Sequence, residues 1–348
     1  MERNELINLF EKLGKVFGDV AEDLPFSQNG SGVSASGYGD FVSVVQTVKR
    51  NNAWFTPENV RKSLGGIASW LTNEQLTNWV SDYPFTTQPK RVGLVMAGNI
   101  PLVGFHDFLS VLIMGHQAVC KFSSGDNVLW PAVLKLMQEI DARVLEHITV
   151  TAGKFENIDA IIATGSDNSA RYFEHYFGKY PNIIRKNRTS VAVLTGQESD
   201  EELKLLSDDI FSYFGLGCRN VSKLLIHEDF NLDRFFTGIF HVGEQLMQHH
   251  KYMNNFDYNR AVYLLNKEDV LENGFALLRF TEDLHSPLSV LNCQRYKDME
   301  EVETFIAEKA EEIQVVIGHD FTAFGQSQQP GLTDYADNIN TLDFLKEI

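Results

Sequence analysis

The feature that most constrains the fold is a change of pattern near residue 91, where short apolar runs begin to alternate with segments of helical length. The first runs lie at 92–97, 118–122, 148–150, 160–163 and 190–194. A second series lies at 223–227, 261–265, 288–292 and 314–317. Short apolar runs that alternate with helices are typical of βαβ units and a parallel sheet. The sequence therefore predicts an α/β fold, organised as two lobes with a cleft between them.

Helices are predicted before and between these runs, at 3–19, 102–114, 126–141, 167–179, 200–213, 230–250 and 298–312. Ser199 and Glu202 have the spacing of a capping box at the start of one of them. Thr56 and Pro57 predict a cap followed by a first-turn proline. A stretch rich in Ser and Gly at 27–39 predicts a surface loop.

Charge and cysteine content bear on the partners and the compartment. The chain has 30 Lys and Arg against 47 Asp and Glu, a formal net charge of −17. An acidic surface repels phosphate backbones and anionic lipids, so neither nucleic acid nor a membrane is expected as a partner. No apolar stretch reaches the ~18–20 residues that span a bilayer, and the N-terminus lacks a secretory signal pattern. Three widely spaced cysteines predict thiols in a reducing cytoplasm.

The strongest candidate for chemistry is Cys218, in the loop after the helix at 200–213. Glycines at 215 and 217 precede it, and Arg219 follows it. A reactive thiolate needs access and nearby positive charge or N–H dipoles, and glycines let a substrate approach the backbone. The pattern favours a nucleophile whose own amide is an oxyanion donor, over a small residue packed in a turn. Cys120 and Cys293 lie in or beside apolar runs, where buried inert thiols are common.

Three other segments stand where predicted strands end. Asn99, before Pro101, is either a helix N-cap or an amide donor to a developing oxyanion. Lys121 precedes two serines and a glycine, so it can hold ribose hydroxyls or a phosphate, although a solvated lysine is the alternative. Gly165 and Ser166 open a helix whose N-terminus can face a pyrophosphate, and a serine N-cap is the alternative there.

The absent motifs limit other hypotheses. No G-x-G-x-x-G follows a predicted strand, and no G-x-x-x-x-G-K-[ST] is present. A P-loop nucleotide hydrolase is therefore not supported. His241 and Glu244 have the spacing that places two side chains on one helix face, as in some metal sites, but no second cluster completes a ligand set. No metal is predicted.

Taken in order, these segments resemble the aldehyde dehydrogenase superfamily, and within it the acyl-CoA reductase branch, the LuxC family. The matching segments are 98–101, 121–124, 163–166, 217–220 and 286–290. The resemblance implies an aldehyde dehydrogenase-like fold with a cofactor-binding domain and a catalytic domain. Residues 1–195 would hold the N-terminal region and the cofactor, and 196–320 the cysteine nucleophile. Residues 321–348 would form a tail that packs back or serves self-association.

The resemblance also implies roles for individual residues. Cys218 would be the acyl acceptor and Asn99 an oxyanion donor. Lys121 would contact the adenosine ribose or its phosphate. The full set implied to bind the cofactor is Gly98, Lys121, Ser123, Ser124, Thr164, Gly165 and Ser166.

Two departures from the superfamily pattern bear on the reaction. Acid-forming members carry a glutamate that activates water, and the matching region here, 190–196, has none. Without that base a thioester is exchanged with a thiol rather than hydrolysed, which fits an acyl-CoA reductase. Ser124 stands where a glutamate often binds the adenosine ribose. A serine instead of this glutamate, together with Lys121, favours NADPH over NADH.

The resemblance therefore implies NADPH-dependent reduction of an acyl-CoA, with a fatty acyl group expected, to an aldehyde. Three alternatives stay open: an acyl phosphate reductase on the same fold, a silent scaffold that binds nucleotide or acyl groups, and a thiol hydrolase. The luminescence relatives work with a synthetase that delivers the acyl group, so such a synthetase is a candidate partner. Self-association is expected from the fold, and Glu282 and Asp283 are alternative contacts to the nicotinamide ribose.

Overall fold

The computed structural model describes residues 1–165 and 167–348, which form two compact units. The first unit comprises Met1–Lys186 and Gly331–Ile348, and the second comprises Asn187–Pro330. The C-terminal segment thus belongs to the first unit. Among the described residues, no helix combines the length and the hydropathy that a bilayer crossing requires.

The secondary structure follows the alternation seen in the sequence. The α-helices are α1 (Arg3–Ala21), α2 (Ala35–Thr47), α3 (Pro57–Trp70), α4 (Asn73–Trp79), α5 (Phe105–Ile113), α6 (Leu129–Ile140), α7 (Asp167–Phe177), α8 (Asp200–Phe211), α9 (Leu232–Ile239), α10 (Gly243–Gln248), α11 (His250–Asn266), α12 (Met299–Glu308) and α13 (Thr341–Glu347). The strands are β1 (Arg91–Val95), β2 (Gln117–Lys121), β3 (Ile148–Val150), β4 (Ala160–Thr164), β5 (Asn182–Arg185), β6 (Thr189–Leu194), β7 (Val221–His227), β8 (Val270–Glu272), β9 (Leu277–Phe280), β10 (Val290–Tyr296) and β11 (Ile313–Ile317). The α/β class predicted from the sequence is confirmed.

The first unit is built on a parallel sheet with the strand order β3-β2-β1-β4-β5. The chain runs outward from β1 to β3 and then returns to place β4 and β5 on the other side of β1. The strand order therefore reverses between β1 and β4. In open α/β sheets, ligands bind in the crevice beyond the carboxyl ends of the strands at such a switch point.

A cluster of aromatic rings holds the helices that follow β1 and β2 to the N-terminal helix. The ring centroid of Phe105 lies 6.4 Å from that of Phe10, 5.9 Å from that of Phe17 and 6.1 Å from that of Trp130. All four side chains are essentially inaccessible to solvent. Burial of a large apolar side chain contributes about 1.5–3 kcal/mol. The cluster therefore fixes α5 and α6, and with them the turns at the strand ends.

The second unit has a six-stranded sheet in the order β11-β6-β7-β10-β9-β8. All its pairs are parallel except β8 on β9, which is antiparallel. Strand β6 is buried along its whole length between β7 and β11. The first domain predicted from the sequence extends to residue 195, whereas these pairings place β6 in the second unit.

The capping patterns predicted from the sequence are confirmed. Thr56 Oγ1 accepts a hydrogen bond from the N–H of Asn59, with Pro57 at the first helical position of α3. Ser199 and Glu202 form a reciprocal capping box at the start of α8. Each such cap stabilises a helix by about 1 kcal/mol, because it satisfies N–H groups that have no partner within the helix.

The strand predicted at 261–265 is wrong, because these residues lie inside α11. The two leucines of this run, Leu264 and Leu265, are 58% and 84% exposed. The buried positions of the helix recur at helical spacing, at Tyr252, Phe256, Asn259 and Tyr263. The buried side chains thus follow the period of a helix, and the run of apolar residues at 261–265 does not indicate a strand. The loop predicted at 27–39 is also shorter than expected, because Ser34 caps α2.

Candidate active site

The nucleophile loop, residues 212–220, joins α8 to β7 and contains Cys218. It begins with a tight turn in which Tyr213, Phe214 and Gly215 have φ values of 53°, 60° and 80°. Positive φ strains a bulky residue and costs on the order of 1–3 kcal/mol each. Tyr213 and Phe214 are buried, so their packing holds this strained turn in place. The turn reverses the chain after α8 and presents Cys218 just before β7.

Asn220 holds the nucleophile loop closed. Its Oδ1 accepts from the Gly217 N–H at 2.8 Å, and its own N–H donates to the Gly217 carbonyl at 3.0 Å. Its Nδ2 lies 3.2, 3.2 and 2.9 Å from the carbonyl oxygens of Asp209, Ile210 and Ser212. The side chain is 2% exposed, so water does not substitute for these partners. Asn220 therefore connects the loop to the last turn of α8, a role that its position in the sequence motif does not predict.

Ser190 and a β-bulge anchor the other side of Cys218. The buried hydroxyl of Ser190, on β6, donates to the Cys218 carbonyl at 3.0 Å. At this point the register of β6 on β7 skips Ser222, so that successive β6 residues pair with Val221 and Lys223. Bulges are common next to active sites, where they redirect a side chain. The Cys218 backbone is thus fixed while its side chain stays partly exposed.

The three thiols differ in their access to solvent. Cys120 in β2 and Cys293 in β10 are fully buried. Burial raises the pKa of both thiols, that of Cys293 to about 12. Cys218 is partly exposed. Because the thiolate is the nucleophile and burial disfavours it, Cys218 is the cysteine of the three suited to attack a substrate.

The strand before the nucleophile loop carries no carboxylate. Strand β6 has only hydroxyl and aliphatic side chains, and the first carboxylate after it is Glu198, which is 2% exposed. Its Oε1 accepts from the N–H and the hydroxyl of Thr195 at 2.6 and 2.9 Å, and its Oε2 accepts from the Gly196 N–H at 2.9 Å. Both oxygens thus shape the turn after β6. A general base must instead lie within reach of the proton that it removes.

In the first unit, Asn99 lies on the turn that leaves β1. The interpretation of Asn99 as an N-cap with Pro101 in the first helical turn is wrong, because α5 begins only at Phe105. Between them Leu102 has a φ of 54°, and its N–H donates to Oδ2 of the buried Asp126 at 2.8 Å. This contact sets the course of the turn, on which Asn99 is exposed. Its role as an oxyanion donor stays a prediction.

The turn after β2 packs closely against the turn after β1. A Cβ on Gly98 would lie 2.7 Å from Ser123 Oγ, and one on Gly125 would lie 2.6 Å from the Gly98 carbonyl oxygen. Ser123 Oγ also accepts from the Gly125 N–H at 3.1 Å. Gly98 and Ser123 therefore have a structural role in joining the two turns, whatever their contact with a ligand. Sequence spacing alone did not reveal this packing.

The other residues implied to bind a cofactor lie at the ends of β2 and β4. Lys121 is partly exposed, and its Nζ donates at 3.0 Å to a main-chain carbonyl of the loop after β3. Ser124 is exposed, whereas Thr164 and Gly165 are half-buried. Ser166 lies outside the described residues. These groups lie at the carboxyl ends of β2 and β4, the two strands that flank β1 in the sheet. The switch point is between β1 and β4, and an ammonium, hydroxyls and a glycine backbone beside it fit a dinucleotide.

The histidine that suggested a metal site has other partners. His241 Nδ1 lies 2.9 Å from the Gly238 carbonyl oxygen, and Nε2 lies 3.3 Å from Ser207 Oγ. Glu244 Oε1 accepts from Gln248 at 3.2 Å. Over residues 1–165 and 167–348, no three His, Cys, Asp or Glu side chains are grouped as a metal ion would require.

Known proteins share sequence with this chain. A family model described as acyl-CoA reductase (LuxC) matches residues 43–235, more than half of the chain. The long-chain acyl-protein thioester reductase of Aliivibrio fischeri is 23% identical over 217 residues. That match takes in 56% of this chain and 44% of the relative, so the chain spans less than half of the relative's length.

Solved structures share the fold. The chain matches HpcC of Thermus thermophilus with a TM-score of 0.65 at 13% identity, over 91% of this chain and 70% of that one. Aldehyde dehydrogenase 21 of Physcomitrella patens, solved with the product succinate, gives 0.62 at 13% identity, over 89% and 74%. The indole-3-acetaldehyde dehydrogenase AldA of P. syringae, a variant solved with NAD⁺, gives 0.62 at 12% identity, over 90% and 71%. The chain therefore has the aldehyde dehydrogenase fold and belongs to the acyl-CoA reductase (LuxC) family.

Proposed function

We propose that this chain reduces an acyl-CoA thioester to an aldehyde, with Cys218 as the acyl acceptor and NADPH as the reductant. The observation that carries the proposal is the nucleophile loop. Cys218 is a partly exposed thiol on a backbone anchored by Asn220 and Ser190, and the family match extends through this loop. Fatty acyl groups are the substrate class that the relative's name, with its long-chain acyl thioester, favours.

The chain's own residues support a two-step reaction. The Cys218 thiolate attacks the acyl carbonyl, and a new thioester forms as the coenzyme A thiolate leaves. The Cys218 amide, and Asn99 by resemblance, donate to the oxyanion that develops on the carbonyl oxygen. NADPH, when bound, supplies the hydride that reduces this thioester. Cys218 then leaves as a thiolate and the aldehyde is released, which regenerates the free nucleophile.

The surroundings of Glu198 support reduction over hydrolysis. Both carboxylate oxygens accept hydrogen bonds from the turn after β6, and the strand itself carries no acid. A thioester on Cys218 is then not exposed to a water activated by this carboxylate. The absence of a role for Glu198 as a base thus favours reduction over hydrolysis at Cys218.

The proposal is tested by product analysis after incubation with palmitoyl-CoA and NADPH. We expect aldehyde, free coenzyme A and oxidised cofactor in equal amounts. Fatty acid formed without any cofactor would identify a thiol hydrolase instead. Turnover of an acyl phosphate with phosphate release, and none of the CoA thioester, would favour the acyl phosphate reductase. An acyl-protein is a second donor to test, because the relative is named for one.

Cofactor preference follows from Lys121 and Ser124. The ammonium can pair with a 2′-phosphate, and the exposed serine brings no carboxylate to repel it. A hydrogen bond to a charged group contributes about 1.5–3 kcal/mol, so we expect kcat/KM to be at least about tenfold higher with NADPH than with NADH. Lys121→Met should remove most of that difference. Equal or better efficiency with NADH in the wild type would contradict the assignment.

The predicted role of Asn99 is tested by Asn99→Ala. Loss of one oxyanion donor costs on the order of 10²–10³ in kcat. We expect a decrease in that range with the KM for the thioester little changed, measured by steady-state kinetics. Asn78→Ala, at an exposed position of α4, is the matched control and should retain the wild-type rate. A wild-type rate in Asn99→Ala would show that Asn99 is not an oxyanion donor in this reaction.

A further inference from the structure

Residues 281–285, here called the clamped segment, follow β9 and are held by side chains from two neighbouring strands. Lys223 Nζ donates to the first carbonyl of the segment at 2.6 Å, and Ser222 Oγ donates to the fourth at 3.3 Å. Asn292 Nδ2 donates to the third and the fifth carbonyls at 3.1 and 2.9 Å. Four of its five carbonyls are thus fixed by side chains rather than by strand pairing.

The two principal donors, Lys223 and Asn292, are buried. Lys223 is 0% exposed and Asn292 is 1% exposed, and the two residues pair directly between β7 and β10. The Lys223 ammonium lies 5.5 Å from the centre of the Phe305 ring, and Asn292 Oδ1 has no hydrogen-bond partner among the residues that the structure describes. Burial of an ammonium and an amide in this way is costly, and an aliphatic pair would fill the space without that cost. Both donors are matched instead to carbonyl oxygens of the clamped segment.

Strand β7, which contains Lys223, directly follows the nucleophile loop. Ser222 and Lys223 are the fourth and fifth residues after Cys218. The bulge at Ser222 turns consecutive side chains of β7 toward the clamped segment. A displacement of the clamped segment would therefore act on the strand that directly follows the nucleophile loop.

We propose that Lys223 is a positioning residue, whose ammonium, together with Asn292, holds the clamped segment in register with the strand that leaves the nucleophile loop. The catalytic part of this inference rests on the proposed reductase activity. The structural part does not, because it concerns only contacts within the second unit.

Titration of Lys223 provides a distinctive signature. Burial lowers the pKa of Lys223 from 10.5 to about 8, an effect opposed by Cys293 on β10 and by Asp283 and Glu282 on the clamped segment. Its neighbours on β6 and α12, which are Val191 and Phe305, do not titrate.

The two effects of deprotonation have opposite signs. Between pH 8 and 10.5 the unfolded chain binds more protons than the folded one, so this lysine makes the free energy of unfolding rise with pH. In the same window the hydrogen bond to the clamped segment weakens, because it is no longer charge-assisted. Local loosening should therefore accompany a global gain in stability.

Hydrogen exchange read by mass spectrometry tests this on the full chain without substrate. The amide of Thr281 donates to the Cys293 carbonyl at 3.0 Å, and that of Asp283 donates to Thr281 Oγ1 at 3.2 Å. From pH 7 to 9.5 we expect their protection factors in the wild type to fall about fivefold. Lys223→Met should show low protection at both pH values, and Lys204→Met, at an exposed position of α8, should match the wild type. Constant protection in the wild type, or an equal fall in Lys223→Met, would overturn the inference.

Turnover at the same pH values tests the catalytic part. We expect kcat of the wild type to fall above pH 8 and kcat of Lys223→Met to be lower but without that fall. If exchange behaves as expected while the two pH profiles of kcat coincide, Lys223 has no positioning role in catalysis. If the wild type reduces no thioester, the proposed function fails, and the exchange result alone decides whether Lys223 holds the segment.

Discussion

Cys218→Ala is expected to abolish both aldehyde formation and the acylated enzyme. The proposed reaction has no other route for the acyl group, because both steps pass through the sulfur of this residue. Removal of a nucleophile of this kind lowers kcat by at least about 10⁴-fold. Intact-protein mass spectrometry after incubation with palmitoyl-CoA alone should show one added acyl group in the wild type and none in Cys218→Ala.

Cys120→Ala is the matched control for this prediction. Cys120 is fully buried in β2, and burial raises the pKa of its thiol. The variant should therefore take up the acyl group and turn over like the wild type. Acylation that persists in Cys218→Ala, or disappears in Cys120→Ala, would contradict the assignment of the nucleophile.

Asn220→Ala is expected to destabilise the second unit by about 3 kcal/mol and to lower turnover. The change leaves the Gly217 N–H and the carbonyls at the end of α8 without their partner, in a place that is 2% exposed. Each unsatisfied buried group costs about 1–3 kcal/mol. Without these bonds the strained turn at Tyr213 and Phe214 also loses its closure. Urea unfolding measures the loss of stability, and alkylation by iodoacetamide reports the exposure of Cys218.

Two further variants make the Asn220 prediction specific. Asn220→Asp keeps the acceptor for Gly217 but places a carboxylate against the carbonyls that Nδ2 contacts, so it should be at least as destabilising. Asn254→Ala, at an exposed position of α11, should be neutral. A change of less than about 1 kcal/mol in Asn220→Ala would show that the loop does not depend on this side chain.

Local patterns predicted most of the first unit's architecture and the place of the nucleophile. The alternation of apolar runs and helices indicated the α/β fold, and the spacing of Ser199 and Glu202 located the start of α8. Cys218 stood out because glycines and Arg219 surround it in a loop between two recognisable elements. These signals depend on residues close together in the sequence, so they can be recognised without knowledge of the fold.

The predictions that proved wrong depended on distant contacts. Residues 261–265 have the composition of a strand, but the packing of α11 on Leu277 and Val290 makes them helical. The start of α5 at Phe105 depends on the contact between Leu102 and Asp126, which are far apart in the sequence. Propensity is overridden by tertiary packing in such places.

The residues that support Cys218 were missed for the same reason. Asn220 was visible as part of the nucleophile motif, but its bonds to the end of α8 depend on the strained turn between them. Ser190 and Lys223 lie beside buried aliphatic residues of β6 and β7, and sequence spacing does not indicate which distant carbonyls they contact. The available signal was a lysine followed directly by the buried aliphatic residues Leu224, Leu225 and Ile226.

Cysteine-dependent reduction of an acyl-CoA is tested most directly by measuring NADPH oxidation at 340 nm. The substrates are acyl-CoA thioesters from acetyl to palmitoyl, and the wild type is compared with Cys218→Ala. We expect oxidation that requires both a thioester and Cys218, with long chains preferred. Absence of oxidation with every thioester, or equal oxidation in Cys218→Ala, would contradict the proposal that this chain is a cysteine-dependent acyl-CoA reductase.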